Sequence, residues 1–286
     1  MTRVGFIGLG QMGAPMARHL ADWPGGLVVC DVRPELTVPL VAEGATSAAT
    51  PAGLAEMCDV ISVMVFDDDQ VRDVVLGPSG IAGGARPGTV VAIHSTIGVG
   101  TAEALAADVA NKGISIVDAP VSGGFMGARA GTLAALVGGP DDAVERCREP
   151  FGRWAELVVH FGPTGAGTRA KLARNLLHFV AFTAAGEAQK LAEASGVDLA
   201  KLAEVVRHTD RVTGGPGAIM FRNSITRVDP GDPLYDTLAH VRAMGEKDLT
   251  LALELARRLG LDLPMAEIAL ERFADGLGVP HEEKTT

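Results

Sequence analysis

The sequence predicts an α/β domain, doubly wound around a mainly parallel sheet, then an all-helical domain, the two joined by one long helix. Three observations carry this expectation. Short apolar strand patterns alternate with helical ones from Val4 to Phe161, the pattern of a parallel sheet covered on both faces. A glycine-rich turn with G-x-G-x-x-G spacing separates the first strand from the first helix. From Gly162 to Gly196 a glycine turn opens an unusually long helical pattern, and the chain beyond Gly196 is helical in pattern as well. The expected organisation is residues 1–162 as the α/β domain, 163–195 as the connecting helix and 196–286 as the helical domain.

Composition narrows the possibilities. Apolar residues make up 47% of 286 residues, enough for a sizeable core in two domains. A formal net charge of −10 at pH 7 argues against nucleic acid and anionic membranes as partners. No apolar run approaches the roughly 18 residues of a membrane span, and the chain opens directly into a strand pattern without a signal-peptide layout. A soluble, cytoplasmic protein is therefore expected. Cys30, Cys58 and Cys147 are scattered and odd in number, which suits burial better than disulfides or metal.

Along the chain, Val4–Ile7 reads as a strand and 14–21 as a helix, with Gly8, Gly10 and Gly13 between them. In that spacing the first glycine permits a tight turn, the second lets backbone approach a pyrophosphate and the third lets the helix pack on the strand. Gln11 and Met12 fill the turn. A second strand, Leu27–Cys30, ends at Asp31, 23 residues after Gly8. That is close to the ~20 expected for a carboxylate that binds the adenosine ribose. The acid would repel a 2′-phosphate and so favours NAD, although Arg33 nearby offsets that repulsion and keeps NADP open. Further strands are expected at 60–65, 89–93, 115–118, 133–137 and 157–161, with helices at 51–57, 69–75, 101–111 and 141–151. Val65-Phe66 and Ser95-Thr96 come directly after strands, so Val65 and Thr96 are placed at the ligand edge of the sheet. Asp67-Asp68-Asp69 suits the N-terminal dipole of a helix better than a metal, and no His/Cys/carboxylate cluster has ligand spacing.

Two later stretches carry polar groups of interest. In Asp118–Leu133 a strand runs into Ser122, Gly123 and Gly124, where exposed backbone N–H groups and a hydroxyl can cup an anion. In the long helix, Lys171 and Asn175 are four residues apart and share a face. A helix at a domain junction can bring such groups into the cleft between domains. Beyond Gly196, helices are expected at 199–207, 234–259 and 265–277. The break at Thr213–Gly217, with Asp210, Arg211 and Arg222 beside it, is a candidate flap. His178 and His240 are weaker candidates for the cleft.

With these blocks in hand, the chain resembles the β-hydroxyacid dehydrogenase family, typified by 3-hydroxyisobutyrate dehydrogenase. The resemblance rests on GFIGLGQMGAPMA, DAPVSGGFMGARAGTLAALVGG, GPTGAGTRAKLARN and KDLTLALELA, in the family's order, and covers essentially the whole chain. It implies a Rossmann-type domain, a helical domain that also builds a dimer interface, and NAD or NADP as cofactor without a metal. By motif match it implies that Lys171 is the catalytic acid/base and that Asn175 orients or binds substrate. Ser122, Gly123 and Gly124 would hold a substrate carboxylate. Lys247 would approach the nicotinamide end, and Thr96 would touch the cofactor. The partners implied are a small carboxylate and a second copy of the chain, as a homodimer or homotetramer.

Four positions depart from the family's usual pattern: Arg174 and His19 stand in place of asparagines, Ile93 of an aspartate and Phe66 of a proline. Arg174 bears most on substrate because it neighbours the lysine. The expected reaction is hydride transfer between the nicotinamide and a small β-hydroxyacid or its semialdehyde. An imine reductase of similar fold is the runner-up, but those enzymes usually replace the lysine. Decarboxylating 6-phosphogluconate dehydrogenases have a much longer helical domain. A dinucleotide-binding protein without turnover is the alternative from another class.

Overall fold

The computed structural model describes residues 1–215 and 226–281. The chain forms two compact units that meet in sequence between Arg174 and Asn175.

The first unit is the α/β domain. Its elements are, in order, β1 (Val4–Ile7), α1 (Gly13–Arg18), β2 (Leu27–Cys30), α2 (Val38–Ala42), β3 (Thr46–Ser47), α3 (Pro51–Ala55) and β4 (Val60–Val63). They continue as α4 (Asp68–Leu76), α5 (Ile81–Gly84), β5 (Val90–Ile93), α6 (Val99–Val109), β6 (Ser115–Asp118) and β7 (Val121–Ser122). The last are α7 (Gly124–Ala130), β8 (Leu133–Gly138), α8 (Asp141–Phe151) and β9 (Ala155–Gly162). One nine-stranded sheet has the order β3-β2-β1-β4-β5-β6-β8-β7, with β9 paired to β8. The reversal of direction on either side of β1 makes it a doubly wound Rossmann-type sheet, with the ligand crevice expected at the carboxyl ends of the central strands.

Residue type explains the strands. β1, β2, β4 and β5 are buried along their full length, as parallel strands covered on both faces must be. Alternate side chains feed two cores. Phe6, Val29, Val60 and Ala92 join one with Trp154 and Phe151, while Ile7, Val28, Ile61 and Ile93 join the other with Leu54 and Leu105. Pairing is parallel from β3 through to β6. It turns antiparallel where β8 meets β6 and β7. The two-residue strands β3 and β7 are too short to show a period in sequence. Cys30, Cys58 and Cys147 are free and buried, and burial pushes the thiols of Cys58 and Cys147 up to about 12.

The long helix α9 (Ala166–Ala194) begins in the first unit and ends in the second. The second unit continues with α10 (Leu199–Thr213), α11 (Tyr235–Arg258) and α12 (Pro264–Leu277). α10 runs through Thr213, so Asp210 and Arg211 lie on a helix rather than in a loop. Asp198 caps it by accepting from the amides of Ala200 and Lys201. The half of the 213–217 break that includes Pro216 and Gly217, together with Arg222, lies outside the described residues. Glu187 on α9 accepts hydrogen bonds from the Met265 and Ala266 amides and so caps α12. No helix among the described residues is long and apolar enough to cross a membrane.

α11 and α12 approach closely at Gly245, where an added Cβ would lie 2.1 Å from Cε1 of Phe273. Gly245→Ala is therefore expected to destabilise this unit by about 1–2 kcal/mol, overpacking outweighing the gain in helix propensity. A urea midpoint equal to or above that of the parent chain would show that the ring yields freely.

Candidate active site

The glycine turn after β1 is shaped by backbone contact. Gly8 sits at φ +90°, where a Cβ would also come within 2.2 Å of the Met64 carbonyl oxygen. At Gly13 it would come within 1.9 Å of the Gly8 carbonyl oxygen. Gly10 differs: no protein atom lies within 4 Å of where its Cβ would be. Packing explains the first and third glycines, whereas the second faces open space. That space belongs to a cavity of about 770 Å³ in the first unit. Of the residues singled out from sequence, Gly8, Gly10, Gln11, Met12, Gly13, Asp31 and Val65 line it. So do Val32 and Phe66, both strongly exposed.

Asp31 does more than close β2. Its Oδ2 accepts from the Leu9 amide at 2.6 Å and its Oδ1 from the Arg33 amide at 2.9 Å, with the Arg33 guanidinium 3.6 Å away. The carboxylate thus pins the glycine turn to the second strand, and carboxylate oxygens retain further acceptor sites for a ligand. Arg33 is already paired with it, although its side chain is largely exposed.

Behind the cavity the strand ends are tied to each other. The Ser95 hydroxyl donates to the Val65 carbonyl at 2.6 Å and accepts from the Val65 amide at 3.1 Å. Next to it, His94 is 1% exposed. Its Nδ1 lies 2.9 Å from the Ala119 carbonyl oxygen and its Nε2 3.0 Å from the Ser62 hydroxyl. A carbonyl can only accept, so Nδ1 carries the proton and Nε2 accepts from Ser62. Phe151 and Trp154 meet the ring edge-on. Burial holds the imidazole neutral, with its pKa down at about 4. Thr96 is exposed beyond this clasp and does not line the cavity.

Lys171 is not a solvated lysine. It lies on the second turn of α9, 7% exposed, and Nζ donates to the Val121 carbonyl oxygen at 2.6 Å. Burial, and then the positive charge of Arg174, bring its pKa down to about 8. Val121 opens β7, so the amine is fixed one residue from the Ser122-Gly123-Gly124 cradle. That cradle is not a free loop: Ser122 ends β7 and Gly124 starts α7, with φ +129° at Gly123 and +61° at Gly124.

The start of α9 is anchored from the sheet. Asp118, fully buried at the end of β6, accepts from the Gly165 and Thr168 amides, each at 2.6 Å. Desolvation raises its pKa, opposed by these amides. Backbones meet here, because a Cβ on Gly167 would come within 2.2 Å of the Leu136 carbonyl oxygen. One on Gly138 would lie 2.5 Å from the Asp118 Oδ1. Sequence reasoning missed Asp118 and His94. Their partners lie 25 to 50 residues away along the chain, so no local pattern announces them.

The other candidates are more scattered. Asn175 is one turn beyond Lys171 on α9, half-buried, and is the first residue of the second unit. His178 is half-buried on α9 beside the Phe179 ring, and His240 is exposed on α11. Lys247 lies on α11, and its side chain is outside those described. Asp67 caps α4 through the Gln70 amide. Asp68 accepts from the Gly98 amide and the Thr101 hydroxyl, which hold its pKa down, the hydroxyl most strongly. These acids are structural, and no group of three metal-ligating side chains occurs among the described residues. His19, one of the departures, donates from Nε2 to the Ala128 carbonyl and links α1 to α7. Ile93 is core and Phe66 borders the cavity.

Two family profiles match. Residues 3–162 match the NAD-binding domain of 6-phosphogluconate dehydrogenase, and 165–283 match the NAD-binding domain of NADP-dependent 3-hydroxyisobutyrate dehydrogenase. An uncharacterised oxidoreductase of Mycobacterium tuberculosis is 57% identical over 98% of this chain and 95% of its own. The NAD-dependent L-serine dehydrogenase of Pseudomonas aeruginosa is 35% identical over 96% of this chain and 91% of its own. A solved structure from Mycobacterium avium 104, itself only assigned as an oxidoreductase, superposes with a TM-score of 0.93 at 52% identity, covering 98% of this chain and all of that one.

Proposed function

Because the chain belongs to the NAD(P)-dependent β-hydroxyacid dehydrogenase family, typified by 3-hydroxyisobutyrate dehydrogenase, we propose that it interconverts a small β-hydroxyacid and its semialdehyde, with Lys171 as acid/base. The observation that carries this is the buried lysine held at 2.6 Å by the Val121 carbonyl beside the serine-glycine cradle.

The cavity fits a dinucleotide. Gly10 leaves space that no protein atom uses, and Asp31 offers a carboxylate at its wall. Bound there, the nicotinamide supplies or accepts the hydride. The chain's own residues handle the proton and the carboxylate. A neutral Lys171 amine donates one N–H to Val121, which leaves its lone pair one of the two remaining tetrahedral positions. In oxidation it takes the hydroxyl proton as the carbinol carbon loses its hydride. In reduction the ammonium returns that proton to the forming alkoxide oxygen. A pKa of about 8 keeps both forms accessible near neutrality.

Ser122, Gly123 and Gly124 are assigned to the substrate carboxylate, a reading supported by the positive φ of both glycines, since consecutive small residues in such conformations suit backbone amides to cupping an anion. Asn175 is assigned to orienting the substrate, and Thr96 and Lys247 to the cofactor. Asp31 favours NAD. We also assign a cytoplasmic location and a homodimer or homotetramer, the self-association being supported by Leu176, Phe179 and Val180, apolar and exposed along α9.

The test is a screen of 3-hydroxyacids, L-serine included, and of semialdehydes, followed at the reduced-nicotinamide absorbance band with NAD and NADP separately. Turnover of at least one pair, faster with NAD, is expected. Tight cofactor binding with uniform inactivity would return the chain to the class of non-catalytic dinucleotide binders.

A further inference from the structure

We infer that Asp118 is the positioning residue that aims Lys171 and keeps it out of water, an inference that rests on Lys171 being the acid/base. Its carboxylate closes a small ring of contacts. From Asp118 the chain passes through Ala119 and Pro120 to Val121, whose carbonyl accepts the lysine's N–H at 2.6 Å. From Lys171 the helix runs back three residues to Thr168, whose amide donates to Asp118 Oδ2 at 2.6 Å. The Gly165 amide holds Oδ1 at the same distance. One end of the Lys171–Val121 bond is therefore three residues from Asp118, and the other is three residues from an amide that Asp118 holds.

This clasp has little play. Charge-assisted bonds from the N-terminal amides of a helix are strong and directional, and Asp118 is fully buried. Gly138 and Gly167 let the strand and helix backbones meet so tightly that a Cβ at either would strike the Asp118 residue or a neighbouring peptide. The glycines of the lysine segment and the aspartate of the cradle segment thus form one device across the two motifs.

A plain helix cap would affect stability alone, whereas a positioning group changes the state of the lysine. Asp118→Asn is the test, because an amide offers one acceptor and one donor where two N–H groups need acceptors. Lys171 is read directly by competitive acetic anhydride labelling against pH with mass spectrometry, without substrate or cofactor. Loss of the clasp is expected to let the amine reach water and raise its labelling midpoint by about one unit. kcat should fall about 10–100-fold, with the cofactor KM unchanged.

Removal of a through-space negative charge would move the midpoint the other way, so an unchanged or lowered midpoint overturns the inference. Gly167→Ala displaces the helix start while leaving the carboxylate in place, and the same upward movement is expected of it. It decides the matter if the asparagine variant does not fold. A raised midpoint in a chain whose Lys171 proves dispensable for turnover would instead count against the functional reading and leave the clasp standing.

Discussion

Replacing Lys171 with alanine is expected to lower turnover by about 10²–10⁴-fold, the usual worth of a positioned acid/base, with cofactor affinity nearly unchanged. The separation comes from the geometry, since Lys171 does not line the cavity around the glycine turn. The pH dependence comes from the same group. Burial first, and Arg174 second, disfavour the ammonium and bring the pKa to about 8. Oxidation needs the neutral amine, so its rate should rise as pH climbs through about 8. Reduction needs the ammonium, so its rate should fall across the same range. Steady-state profiles in both directions, for the parent chain and for Lys171→Ala, check this. A variant that keeps most of its activity, or profiles that move together, would remove Lys171 from the mechanism.

The α/β unit is also expected to lose stability in mild acid because of His94. The native imidazole, buried among Phe151, Trp154 and Phe6, has a pKa near 4 against an ordinary 6.5. The unfolded chain therefore binds a proton that the native chain excludes. Above about 6.5 neither state is protonated and the contribution to stability is whole. As pH falls from about 6.5 towards 4 it is lost, amounting to about 3 kcal/mol at the bottom of that window. Asp118 and Asp68 titrate in acid too, in opposite senses, because burial raises one pKa and hydrogen bonds lower the other. Comparison with His94→Asn isolates the imidazole, since asparagine keeps a donor for Ala119 and does not titrate. Urea midpoints that fall equally with pH in both chains would show that His94 is not the source.

Much of this was legible in the residues. The strand runs at Val4–Ile7 and Leu27–Cys30 are buried along their full length, so short apolar stretches announced them with the right bounds. The helices at 51, 69, 141 and 265 carried their own start signals in Pro51, Asp67, Asp141 and Pro264. Glycines at 8, 10 and 13 were readable because steric demands on a turn are local. β7 and α7 were not, since two residues show no period and glycines at the start of a helix imitate a loop. Asp118 read only as the end of a strand. Its real partners are amides 47 and 50 residues further on, and nothing near it in sequence encodes them.

The division has a physical reason. Periodicity, turn chemistry and motif spacing depend on neighbours along the chain, and these, with the family resemblance that the motifs carry, determined the doubly wound sheet, the helical second unit and the short set of candidate groups. Whether a group is buried, what it donates to and how tightly it holds a proton depend on neighbours across the fold. Only the tertiary structure decided that the lysine on the long helix is a desolvated amine held by a strand carbonyl, and that a fully buried aspartate stands behind it.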